Sequence, residues 1–171
     1  MKYSLFIISV LFVLTACNEE RPISSVSSEN WEKRSVRLSD KDSLLTGVTY
    51  LPVYSEIYSF SESQTTFLTV TVSMRNINTD DVVYITRADY FDTHGKRIRS
   101  YFEKPISLKP LETVEIIIDE ADNLGGVGGN FIFEWATENI RVNDPFFEAV
   151  MISTKGQQGL SFTTNGIKLK N

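Results

Sequence analysis

Phe67-Leu68-Thr69-Val70-Thr71-Val72-Ser73-Met74 is the stretch that decides the fold class. Leu68, Val70, Val72 and Met74 fall on one side, and Thr69, Thr71 and Ser73 on the other. Strict alternation of this kind marks an antiparallel strand with one face in a core and one in water. The pattern recurs outward from it. Val82-Val83-Tyr84-Ile85-Thr86-Arg87-Ala88-Asp89-Tyr90-Phe91 reads as a strand that turns at Asp92-Thr93-His94-Gly95 and returns through Lys96-Arg97-Ile98-Arg99-Ser100-Tyr101. In that turn Gly95 supplies the left-handed position. Thr113-Val114-Glu115-Ile116-Ile117-Ile118 and Phe131-Ile132-Phe133-Glu134-Trp135 are further strands, and Phe131, Phe133 and Trp135 share a face that belongs in the core.

Towards the C-terminus, Asn165-Gly166 stands between Leu160-Ser161-Phe162-Thr163-Thr164 and Ile167-Lys168-Leu169-Lys170. This predicts a two-residue type I′ hairpin, with Lys168 and Lys170 protecting an edge strand. Asp144-Pro145 could start a short helix, but Ile152-Ser153-Thr154 and the turn at Gly156 favour a strand through Phe146-Phe147-Glu148-Ala149-Val150-Met151. About eight short strands, frequent turn signals and no amphipathic helix predict an all-β, immunoglobulin-like antiparallel β-sandwich, with a small β-barrel as the alternative.

The N-terminus carries a different message. Lys2 precedes the apolar run from Leu5 to Leu14, and Leu14-Thr15-Ala16 leads into Cys17, the single cysteine of the chain. This is a basic, apolar and small-residue secretory signal, ending as a bacterial lipobox does. The run is about 10 residues, short of the ~18 needed to span a bilayer. An odd cysteine in an exported chain calls for a role, and lipid attachment supplies it. The expected organisation is therefore a signal peptide over residues 1–16, a lipidated Cys17 with a polar, Ser-rich tether over 17–46, and the β-domain over 47–171. Trp31 and Val36-Arg37-Leu38 are the tether residues able to dock on that domain. Asn18 is not the aspartate that retains lipoproteins in an inner membrane, so the expected address is the outer membrane of a two-membrane envelope.

Composition bounds the chemistry. The 171 residues carry a formal net charge of -5, and losing residues 1–16 removes Lys2 and makes it -6. Such a balance argues against nucleic acid as a partner. One histidine, His94, and no free thiol after lipidation leave no zinc or copper site built on several N or S ligands. Gly125-Gly126-Val127-Gly128-Gly129 lacks the Lys-Ser/Thr and helix of a P-loop and reads as a turn with unusual backbone. Asp119, Glu120 and Asp122 form an oxygen-rich segment without EF-hand spacing, which makes them a weak calcium candidate. No nucleophile elbow or acid–base set can be assembled, so the expectation is a non-enzymatic module without a cofactor.

Tyr50-Leu51-Pro52-Val53-Tyr54-Ser55-Glu56-Ile57-Tyr58 holds the candidate binding residues. Read as one strand, Leu51, Val53 and Ile57 point one way, while Tyr50, Tyr54, Glu56 and Tyr58 make an aromatic stripe that could stack on a glycan or anchor an envelope protein. Pro52 fits a strand margin, since it cannot donate to a central ladder.

Several stretches together carry a family resemblance. They are Thr49-Tyr50-Leu51-Pro52-Val53-Tyr54-Ser55-Glu56-Ile57-Tyr58, Leu68 to Asn76, Asp89-Tyr90-Phe91-Asp92-Thr93-His94-Gly95-Lys96, Pro110-Leu111-Glu112-Thr113, Gly125 to Phe131, and Glu148 to Thr154 with Gln157 to Phe162. The chain resembles a family of exported bacterial proteins known as domain of unknown function 3124, over roughly Gly47 to Phe162. The resemblance implies an exported β-domain and brings no activity or site residue.

Overall fold

The computed structural model describes residues 30–38, 43–156 and 159–170. Alternating burial along the strands builds two antiparallel sheets packed face to face, not closed into a barrel. One sheet runs β12-β1-β9-β5-β6, with β7 also on β5, and the other runs β11-β10-β4-β8. The elements are β1 (Leu45–Pro52), β2 (Glu56–Ser59), β3 (Ser61–Phe67), β4 (Thr69–Arg75), β5 (Val83–Phe91), β6 (Arg97–Ser100), β7 (Ile106–Leu108), β8 (Thr113–Ile118), β9 (Asn130–Thr137), β10 (Phe146–Ser153), β11 (Leu160–Asn165) and β12 (Ile167–Lys168). Strands β2 and β3 stand apart as their own two-stranded sheet. The fold is the expected β-sandwich. The strands that the sequence reading missed are β7, too brief at three residues to show a period, and β3, a polar run without alternation; β2 was read as a continuation of β1.

Leu68, Val70, Val72 and Met74 are fully buried, as their alternation requires, and so are Phe131 and Phe133. Phe133 stacks on Phe131 at 5.4 Å and on Phe147 of the opposite sheet at 4.3 Å, while Phe131 stacks on Tyr90 at 4.8 Å. This ladder of rings joins the two sheets. In β5 one extra residue, Thr86, bulges against β9 between the pairs Ile85↔Trp135 and Arg87↔Glu134. A bulge shifts the side-chain parity. Val83 and Ile85 face the core before it, and Ala88 and Tyr90 after it. Arg87 and Asp89 thereby turn to the outer face. There Asp89, wholly buried, is held by Arg87 and by Arg97 at 3.4 Å, and Arg87 also reaches Glu134 at 2.9 Å. Burial pulls the Asp89 carboxyl up, but hydrogen bonds from Arg87 and Ser100 and the Arg87 charge outweigh it and keep it below its ordinary value.

The expected Asn165-Gly166 hairpin does not form. β11 pairs with β10 in one sheet, while β12 pairs with β1 in the other. Gly166 is the point where the chain crosses between sheets. Its N–H donates to the Phe147 carbonyl at 2.8 Å, and a Cβ there would sit 2.7 Å from Thr49 Cγ2 and 3.1 Å from Phe147 Cβ. Close approach, not a left-handed turn, demands glycine. The Lys-bearing tail is nevertheless an edge, as expected.

Residues of the expected tether dock on the domain. Trp31, in the single-turn helix α1 (Trp31–Arg34), packs on Phe102 at 5.2 Å and on Tyr101 at 6.4 Å. Val36 donates to the Pro105 carbonyl at 2.8 Å, and Arg34 pairs with Glu112 at 2.7 Å. The expected signal peptide over residues 1–16, Cys17 and Asn18 lie outside the described residues.

Candidate functional site at the hairpin end

Four connections meet at one end of the sandwich: the β1–β4 segment that contains the β2–β3 hairpin, the β5–β6 turn, the β8–β9 loop and the β10–β11 turn. β1 stops at Pro52, whose carbonyl accepts the Thr164 hydroxyl at 2.6 Å. The strand partner on that side, β12, reaches only Thr49 and Tyr50, so the N–H that proline lacks has no ladder to serve. The chain then bends. Val53 donates to the Gly129 carbonyl at 2.9 Å, and Leu68 donates to the Ser55 carbonyl at 2.9 Å, clamping the base of the hairpin.

The glycine run is the other half of that clamp. Gly126–Gly128 form one 3-10 turn, with Gly126 at φ +67°. Thr93 Oγ1 donates to the Gly125 carbonyl at 3.0 Å and accepts from the Gly128 N–H at 3.0 Å. Ser55 Oγ donates to the Gly126 carbonyl at 3.2 Å. A Cβ at Gly125 would stand 1.8 Å from the Tyr90 hydroxyl. The run is thus a pinned turn that lets two loops approach, in keeping with its sequence reading.

Beneath it lies a polar cluster that the sequence did not disclose. Asp122 is buried and takes the Arg99 guanidinium at 2.7 Å; Arg99 also reaches the Tyr101 hydroxyl at 3.3 Å and lies over the rings of Tyr90 and Tyr101. Asp122 Oδ1 has no hydrogen-bond partner. Ser55 faces the Tyr90 hydroxyl but donates to Gly126, and the Tyr90 hydroxyl is left without a hydrogen bond of good geometry. Burial pushes the Tyr90 hydroxyl well above its ordinary pKa, with the Asp122 charge adding to it, and burial raises Tyr101 in the same direction.

The candidate residues of the Tyr50–Tyr58 stretch do not form one row. The strand breaks between Pro52 and Glu56, because the chain leaves sheet order to enter the hairpin. Tyr50 stays half-buried on the outer face of β1, opposite Ile132 and Ile167. Tyr54 packs edge-on against Phe162 at 5.8 Å, next to the core. Glu56 and Tyr58 lie on β2, and Tyr58 is 59 % exposed. Leu51 and Val53 are buried as expected, whereas Ile57 is only partly so.

The calcium candidates also part company. Asp119 accepts from Ala121 N–H at 2.9 Å, Glu120 pairs with Lys155 at 2.7 Å, and Asp122 turns inward to Arg99. Among the described residues no three His, Cys, Asp or Glu side chains group as a metal site. His94 sits in its turn, where Asp92 Oδ1 accepts from the His94 and Lys96 N–H groups at 2.8 and 2.9 Å.

Sequence reasoning missed the hairpin tip. Phe60 is fully exposed, with its backbone at φ +64°. A bulky residue in the left-handed region is unusual and strained, and such strain gathers at functional sites. No Gly, Asn or Pro marks the turn, and Ser61-Glu62-Ser63-Gln64-Thr65-Thr66 has no apolar alternation. The one available signal was that an all-polar run was followed by a clean strand.

The fold and this end together define an antiparallel β-sandwich that displays an aromatic-tipped hairpin. The chain belongs to the family described as "Protein of unknown function (DUF3124)", which matches residues 46–169. The match takes in the Asn165-Gly166 crossing, which lay beyond the resemblance read from the sequence. Searches of curated proteins and of solved structures each returned no match.

Proposed function

We propose that this chain is a bacterial envelope lipoprotein, anchored through Cys17, whose sandwich is a binding module that grips an envelope protein with its hairpin end. The observation that carries the binding role is the tip itself: Phe60 fully exposed and Tyr58 59 % exposed on a hairpin clamped to a rigid base. Exposed aromatics on a fixed support offer large, stiff contact area at low entropy cost. The anchor rests on Leu14-Thr15-Ala16-Cys17 after an apolar run too short to span a bilayer. More than one acyl chain on Cys17 would hold the domain stably at the membrane.

Intact mass of the membrane form tests the anchor. A mature chain starting at a lipid-modified Cys17 is expected; an unmodified chain retaining residues 1–16 would refute it. The grip is tested by photo-crosslinking from position 60 in whole cells, with position 139 at the opposite end as control. The reading requires a discrete protein adduct from 60 and none from 139, lost when Tyr58→Ser is added. Phe60→Ser itself should change stability by under about 0.5 kcal/mol, as for surface changes generally. Equal labelling from both positions, or none from position 60, overturns the assignment.

A further inference from the structure

Strand β8 ends its sheet and has no strand beyond it among the described residues. Natural sheets shield such edges with short strands, lysine, proline, bulges or covering loops. The other edges here are shielded. β12 has two residues, one of them Lys168. β11 lies against the end of β1 through the Thr164–Pro52 bond. β7 is met by Ser35 in an isolated bridge, and β6 is four residues long with Arg97 and Arg99. Among the described residues β8 has only one such device, the charge of the exposed Glu115. Its six residues pair with β4 in unbroken register, and five of the six are β-branched. Val114, Ile116 and Ile118 point into the core, while Thr113, Glu115 and Ile117 face outward.

We propose that β8 is a self-association edge that pairs antiparallel with β8 of a second copy and joins two four-stranded sheets into one. Such a two-fold contact uses the same surface on both copies. Keeping core residues opposite core residues allows only alternate registers, since a one-residue slip flips every side chain. Charge then selects among them. Centring the pair on Glu115 sets two carboxylates directly opposite each other. Centring it on Ile117 sets Glu115 opposite Asp119. Centring it on Ile116 pairs Glu115 with the second copy's Ile117 and Thr113 with its Asp119, uses the whole strand and opposes no like charges within it; beyond the strand Glu112 comes opposite Glu120, and each already has its own cation, Arg34 and Lys155. Directly opposed like charges destabilise a sheet pair, so the Ile116-centred register is the one the strand favours. Pairing along one edge buries little surface, so the dimer belongs to the weak, transient class. It involves neither the anchor nor the hairpin tip.

The test is a charge pair at one position, read in the detergent-solubilised mature protein by sedimentation across a concentration series up to about 100 μM, the range where weak association shows. The parent should dimerise. Ile117→Glu places a carboxylate opposite Glu115 of the other copy and should weaken association at least about tenfold. Ile117→Lys places a cation there and should dimerise at least as well as the parent. Melting curves of both variants confirm that the monomer stays folded. A parent that remains monomeric throughout the series overturns the proposal, as does an Ile117→Glu variant that associates no more weakly than Ile117→Lys.

Discussion

The two ends of this sandwich are finished differently. At the end away from the hairpin, three asparagines tie the loops together. Asn76 Nδ2 donates to the Asp81 and Leu108 carbonyls at 2.7 and 3.0 Å. Asn78 Nδ2 donates to Asn76 Oδ1 and to the Asn143 carbonyl, and Asn78 Oδ1 accepts from the Asn143 N–H at 2.8 Å. Each of these amides has partners, although at the same end Arg75 Nε is buried without one and Leu111, 67 % exposed, also stands at φ +58°. At the hairpin end, the Tyr90 hydroxyl and Asp122 Oδ1 are buried without partners, and Phe60 stands in solvent on strained backbone. A satisfied polar network specifies one arrangement, whereas unsatisfied groups and strain gather where a surface serves something other than stability. The asparagine network holds the loops in one arrangement, and the orphaned groups beneath an exposed aromatic are what support the contact role proposed for the hairpin end.

The largest effect belongs to the ring ladder that both ends share. Phe133→Ala should cost about 3–5 kcal/mol by denaturant unfolding, through lost burial and the cavity left between the sheets. A loss near 1 kcal/mol would mean that the ladder does not join the sheets as described. Next comes the satisfied end: Asn78→Ala removes the side-chain bonds that tie its own loop to that of Asn143 and should cost about 2–4 kcal/mol, measured the same way. If it proves neutral, the contrast between the ends fails. At the other end, Gly125→Ala drives a methyl into the Tyr90 hydroxyl and should cost about 1–3 kcal/mol by overpacking. Hydrogen exchange should localise that damage to residues 53–68 and 119–129, leaving the asparagine loops protected.

The smallest effect separates the ends by pH. Burial pulls the Glu112 carboxyl up, but hydrogen bonds from Arg34 and the Lys109 N–H hold it below its ordinary value. A depressed carboxyl contributes stability that is present above its unfolded value, near 4.3, and is lost as pH falls through the folded one. Acid below about pH 4 should therefore free α1 from the asparagine end, a change of about 0.5–1 kcal/mol visible in Trp31 fluorescence and absent in Glu112→Gln. At the hairpin end the sign reverses. Tyr90 and Tyr101 are raised, so their contribution is intact below about pH 10 and disappears as pH rises through the folded values. Alkali should loosen residues 119–129 first. Loss of both regions at the same pH would remove the distinction.

Much of the architecture was legible in the chain. Leu68, Val70, Val72 and Met74, and likewise Phe131, Phe133 and Trp135, reported their faces because a strand's period of two leaves an alternation that composition alone can show. The shift of parity from Val83 and Ile85 to Ala88 and Tyr90 even recorded the β5 bulge, in residues already visible. The candidate site was far less legible. Tyr50, Tyr54 and Tyr58 look equivalent in sequence, yet one lies on a sheet face, one beside the core and one on a projecting hairpin. Phe60 resembled any other apolar residue in a stretch without period.

The chain by itself thus determined the strands with a buried face and the all-β class, since each is written in local spacing and residue type. Tertiary structure alone decided which strands share a sheet, that Gly166 crosses between sheets instead of closing a hairpin, and that Arg99 meets Asp122 under the glycine turn. Those outcomes depend on groups far apart in sequence, such as Thr49 against Gly166 and Ser55 against Gly126. Close packing selects them only when both partners are in place, and no local pattern carries the information.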